Sequence, residues 1–118
     1  MHLDALRDCC LAQPHASEDQ PFGPDVLAFK VAGKLFALTN LERMPLSVGL
    51  KCDPERAVDL RERFAGIGTA RYLHKRHWNA VELQSDVPDA LVRQLVEHSY
   101  ALVVAGLPRR ERQRVARS

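Results

Sequence analysis

Val26-Leu27-Ala28-Phe29-Lys30-Val31-Ala32-Gly33-Lys34-Leu35-Phe36-Ala37-Leu38-Thr39-Asn40-Leu41 decides the fold of this chain. In Val26 to Val31, Leu27, Phe29 and Val31 share one face of a strand, while Ala28 and Lys30 take the other. Ala32-Gly33 is a tight turn, and Lys34 to Leu41 returns as the second strand of a hairpin. Ser47 to Lys51 alternates again, with Val48 and Leu50 inward and Gly49 and Lys51 outward. One apolar face and one polar face per strand indicate an antiparallel sheet covered on one side only.

Working outward, Asp53-Pro54-Glu55 is a helix start: Asp supplies a capping oxygen, Pro fits the first turn, and Glu suits the dipole. Ala57, Leu60 and Phe64 form the inner stripe of that helix and Gly66 stops it. Leu3, Leu6, Cys10 and Leu11 predict a first helix over 2–12, followed by a connection over Gln13 to Pro24. Asn79 to Leu83 reads as a further strand. A last helix starts near Asp86, uses Pro88 early, and buries Leu91, Leu95 and Leu102 with Val92, Val96 and Val103. The order helix, hairpin, strand, helix, one or two strands, helix is that of an α+β fold with helices on one face of an antiparallel sheet.

The chain has 118 residues, 46% apolar and 27% charged, which fits one globular domain. We assign the domain to 1–106 and read 107–118 as a disordered, Arg-rich tail. The tail carries the basic charge. Residues 106–118 hold five Arg and one Glu, so the remainder is acidic by two charges although the whole is +2. Such an end serves either as an arm that tracks phosphates or as a solvated terminus. The start lacks the pattern of a signal peptide, and no apolar run is long enough to span a membrane, so a cytoplasmic location is expected. Cys9, Cys10 and Cys52 show neither a disulfide framework nor zinc spacing and read as structural thiols.

Function is sought in Arg71-Tyr72-Leu73-His74-Lys75-Arg76-His77-Trp78-Asn79, where basic side chains alternate with rings able to stack on bases. The competing interpretation makes Trp78 a core anchor and the charges a solvated turn. If the last strand is regular back to Trp78, period 2 turns this ring away from Val81 and Leu83, to the side of Lys30 and Lys51, with Lys34 by the hairpin turn. A bulge near Asn79 would return it to the core. Lys75, Arg76 and His77 occupy the adjoining turn. No catalytic constellation, phosphate-cradling loop or metal-ligand spacing is present: His74 and His77 lack a second pair, and Glu18-Asp19 reads as a solvated turn.

The chain resembles the MmcQ/YjbR-like proteins. The resemblance is carried by Pro21-Phe22-Gly23, Phe29 to Ala37, Leu50-Lys51-Cys52-Asp53-Pro54-Glu55-Arg56-Ala57, Lys75 to Asn79 and His98-Ser99-Tyr100, from about residue 3 to Pro108. It implies a small fold like the frataxin homologue CyaY, a double-wing arrangement, DNA binding, no enzymatic activity and no cofactor. The expected DNA contacts are Lys51, Lys75, Arg76, His77, Trp78 and Asn79, with Lys30 and Lys34 from the strand reading. The alternative is a protein-interaction module whose exposed sheet face docks a partner with Trp78 as anchor. A DNA binder needs a continuous positive face, whereas a docking face is mixed in charge around an apolar centre.

Overall fold

The computed structural model describes residues 1–116. Its elements run α1 (Leu3–Leu11), β1 (Ala16–Asp19), β2 (Val26–Val31), β3 (Lys34–Asn40), β4 (Ser47–Lys51), α2 (Pro54–Arg63), β5 (Ile67–Thr69), β6 (Trp78–Glu82), α3 (Asp89–Ala105) and α4 (Arg109–Ala116). The six strands form one antiparallel sheet in the order β1-β2-β3-β4-β6-β5. The α+β reading holds. Leu27, Phe29, Val31, Val48, Leu50 and Val81 enter a core closed by Leu6, Ala57, Leu60, Val92, Leu95 and Val96 from the helices.

The strong local signals form as expected. Val26 to Val31 and Lys34 onward make the hairpin. Asp53 caps α2 by accepting from Arg56 N at 3.2 Å, with Pro54 in the first turn. The register carries one irregularity. Phe29 pairs with Ala37 but Lys30 pairs with Leu35, so Phe36 is an extra residue in β3. Phe36 and Ala37 are therefore both buried, and the alternation of β3 inverts at the bulge.

Three expectations need correction. The connection read over Gln13 to Pro24 contains an edge strand, β1. Its Glu18 takes a two-point hydrogen bond from Arg7 of α1, and its Asp19 pairs with Lys30 at 3.7 Å. The last helix starts at Asp89 rather than near Asp86. Asp86 instead accepts hydrogen bonds from Ala65 N and Gly66 N, each 2.8 Å, and closes the end of α2. The tail read as disordered is helical over Arg109–Ala116: Val115 is buried, and Pro108 O accepts from Arg112 N at 2.9 Å. The short helix is held by packing, with Leu107 and Val115 both buried and Arg112 donating to Ala105 O at 3.4 Å. Residues 117 and 118 of that tail lie outside the described residues.

Asp86 also links stability to pH. The amides of Gly66 and then Ala65 hold its carboxyl below the usual carboxylate range. A group depressed in the folded state stabilises above its unfolded pKa, about 3.9, and loses that contribution as pH falls through the folded value. Asp86→Asn is therefore expected to melt below the parent at pH 6, with the gap closing towards pH 2. Melting curves across that range check this, and a gap independent of pH would deny the charge any role.

Candidate functional site

The face of the sheet away from the helices holds the candidate site. β4 and β6 pair without a register shift from Ser47↔Glu82 to Lys51↔Trp78. Trp78 is thus opposite Lys51 on the open face, half-buried, and Asn79 points the other way. The period-2 expectation for Trp78 is met. For Asn79 as a nucleic-acid contact it is not: the side chain is only 2% exposed. Its amide nitrogen donates to Ala57 O at 3.2 Å and its oxygen accepts from Arg61 at 2.6 Å. Asn79 ties α2 to the sheet, because a polar side chain facing the core must find partners there.

The lysines separate. Lys30 is on the open face but its ammonium faces Asp19. Lys34 lies past the β3 bulge opposite Val31, on the helix-side alternation, and is exposed. Lys75 and Arg76 line a shallow hollow with Pro54, Glu55, Val58, Arg61 and Thr69, beside α2 and the β5 edge. Trp78 N and His77 N both bond to His74 O at 3.0 Å, and His77 O accepts from Cys52 N at 2.8 Å, which fixes the turn. Among the described residues no carboxylate pairs with Lys51, Lys75 or Arg76. The expected cations therefore do not form one continuous face: Lys75 and Arg76 share a hollow, and Lys51 stands opposite Trp78.

The rest of the open face is a groove of about 850 Å³, within the size range of small-molecule and peptide pockets. Its floor includes Leu35, Leu38, Gly49 and Ala80, and its ionisable lining is Arg43, Arg71 and Glu82. Phe22, Met44 and Tyr72 stand at its rim and are 65%, 74% and 88% exposed. Leu73 folds onto the floor; a Cβ added at Gly49 would meet its Cδ1 at 3.1 Å. Tyr72 has φ +66°, a left-handed backbone that a bulky residue adopts at a cost of about 1–3 kcal/mol. The Arg71 guanidinium lies 5.6 Å from the Tyr72 ring centre.

Sequence reasoning passed over Arg43 and Met44; Tyr72 lies in the stretch singled out for function and Phe22 in a family motif, but neither is among the expected contacts. Signals existed, because an aromatic or Met set among Pro, Gly and Arg in a loop has no periodic face to bury it. Other motif residues prove architectural. Ser99 Oγ donates to Phe36 O at 2.6 Å and accepts from Lys51 N at 2.9 Å. Tyr100 donates to Pro14 O at 2.6 Å, and His98 Nε2 accepts from Asp53 N at 3.2 Å. Burial, and then the Arg56 charge, push the His98 pKa down, which suits a neutral acceptor. Burial pushes the thiols of Cys9, Cys10 and Cys52 up, away from the reactive thiolate. The rings of His74 and His77 are 5.0 Å apart. Among the described residues no three ligand-type side chains converge on one point, and no helix is long and apolar enough to cross a membrane.

The YjbR family profile matches residues 11–102. The chain belongs to the YjbR family. Relatives extend over nearly the full length. The uncharacterised protein YbdF of Escherichia coli O157:H7 is 35% identical over 115 residues, 98% of this chain and 93% of that protein. The uncharacterised protein YjbR of Escherichia coli K12 is 34% identical over 113 residues, 95% of each chain. Among solved structures, Deinococcus radiodurans DR2400, a DUF419 protein, matches with a TM-score of 0.89 at 37% identity, over 97% of this chain and 87% of that one. A Pseudomonas syringae protein matches with a TM-score of 0.76 at 25% identity, over 86% and 98%. The YjbR match spans the hairpin, α2, the basic turn and most of α3, so it covers the groove and the hollow of Lys75 and Arg76 alike.

Proposed function

We propose that this YjbR-family chain is a non-enzymatic binding module that seats a short extended protein segment on the open face of its sheet. One observation carries the reading. Of five exposed large hydrophobic side chains among the described residues, three, Phe22, Met44 and Tyr72, ring a single groove floored by leucine, alanine and glycine. Scattered exposed apolar residues are ordinary, but a cluster around a concavity marks a binding surface.

Panning a phage-displayed heptapeptide library against the intact protein tests the reading. Selected peptides are expected to shift the amide resonances of Gly49, Leu73 and Ala80. Tyr72→Ser should weaken them tenfold or more, as the loss of an aromatic anchor does. Failure to enrich any sequence, or shifts confined to the helical side, would dismiss it.

A second reading, DNA binding, is favoured by the pairing of Lys51 with Trp78 beside the uncompensated Lys75 and Arg76. Three phosphate contacts give a slope of log K against log salt of about −3. Lys75→Ala with Arg76→Ala should flatten it by about two units. Trp78 fluorescence during a duplex titration at several salt concentrations measures this. An unchanged slope removes that turn from any DNA interface.

A further inference from the structure

Resting on the docking reading above, we infer that the segment seated on the open face is acidic as well as apolar, with carboxylates received by Arg43 and Arg71. The groove is lined by residues of β2, β3, β4, β6 and β5, five consecutive strands of the sheet. Four inter-strand steps of about 4.8 Å give a run of about 19 Å. At about 3.4 Å per residue this holds five or six residues of extended chain.

An extended segment presents alternate side chains to opposite sides. One set meets the floor, which is made apolar by Leu35, Leu38, Ala80 and by Leu73 folded over Gly49. That set is apolar. The rest meet the rim, whose charge is set by three groups, Arg43, Arg71 and Glu82. Two positive charges against one negative favour an anionic partner and penalise a cationic one. Neither arginine has a carboxylate partner among the described residues. Arg71 is already placed over Tyr72, so less side-chain freedom is lost when it engages a carboxylate, and its planar fork can bind one through two hydrogen bonds.

Three capped six-residue peptides test the inference, alternating leucine with glutamate, with glutamine or with lysine. Titrated calorimetrically into the intact protein at low salt, the glutamate peptide should bind about tenfold tighter than the glutamine peptide, and the lysine peptide weakest. The advantage should shrink as salt rises. Arg43→Gln with Arg71→Gln should erase the difference between the glutamate and glutamine peptides. Both arginines are exposed, so the variant retains its core. Equal binding of glutamate and glutamine peptides would overturn the inference, as would a preference that survives in the double variant. Binding by none of the three would overturn it too. Library peptides that map to the groove without acidic residues would overturn it while leaving the docking reading intact.

Discussion

Gly66→Ala is expected to destabilise the protein by about 3 kcal/mol, an overpacking cost at the upper end of the usual range. In a chain of this size that lowers Tm by roughly 12 °C. Gly66 is buried where α2 gives way to β5. It is not in the left-handed region, so the requirement for glycine is one of space. A Cβ there would overlap Ser85 Oγ and lie 2.6 Å from Ser85 Cβ and 3.0 Å from an Asp86 oxygen. Ser85 cannot turn aside freely, since its hydroxyl donates to Glu82 O at 2.9 Å and accepts from Val87 N at 3.3 Å. Asp86 is fixed by the amides of Ala65 and Gly66. Thermal melts of Gly66→Ala, Ser85→Gly and the double variant check the account. The double variant should melt close to Ser85→Gly alone, because the Ser85 atoms that meet the new Cβ are gone. A single variant that melts like the parent would mean that the two loops do not approach this closely.

Ser99→Ala is expected to cost about 2–3 kcal/mol and roughly 10 °C in Tm. β3 and β4 pair at Ala37↔Leu50 and Leu38↔Gly49, and then separate beside the Phe36 bulge. The Ser99 hydroxyl fills the gap from α3, taking Lys51 N and serving Phe36 O. Its side chain is fully buried, so alanine leaves a donor and an acceptor without partners, each carrying its desolvation penalty. Hydrogen exchange supplies a local readout: the Lys51 amide should lose protection ahead of its neighbours. Ser99→Thr keeps the hydroxyl and should fall between parent and alanine. A loss below about 0.5 kcal/mol would show that the strands close together unaided.

Ser99 illustrates why the family motifs are hard to read for role. Lys51 and Trp78 carry their side chains to the open face, whereas Asn79 and Ser99 hold elements together. Nothing in residue type separates a buried serine that bridges two strands from an exposed one. The family motif sets Asn79 with Trp78 as a contact, yet period 2 assigns the two neighbours opposite faces. Lys34 shows the same limit. Its face depends on one extra residue at Phe36, and a bulge is defined by the partner strand rather than by the strand that contains it.

What the sequence determined by itself is whatever local chemistry is sufficient to specify. Alternation fixed β2 and β4. Asp53-Pro54-Glu55 fixed the start of α2, and apolar spacing fixed the buried face of α3 through Val92, Leu95, Val96 and Val103, while Leu91 and Leu102, read as buried too, sit half-buried at its margin. The ordered set of motifs identified the family. β1 and β5 depended on pairing with β2 and β6, because four and three residues with little apolar content cannot hold an extended shape alone. α4 depended on a surface for Val115. The groove is wholly a product of tertiary structure. Phe22, Met44 and Tyr72 come from three loops far apart in sequence, and they meet because β4 pairs with β6 across the intervening α2 and β5. Loop placement already denies each of them a periodic face to bury, but only the sheet order brings the three to one groove.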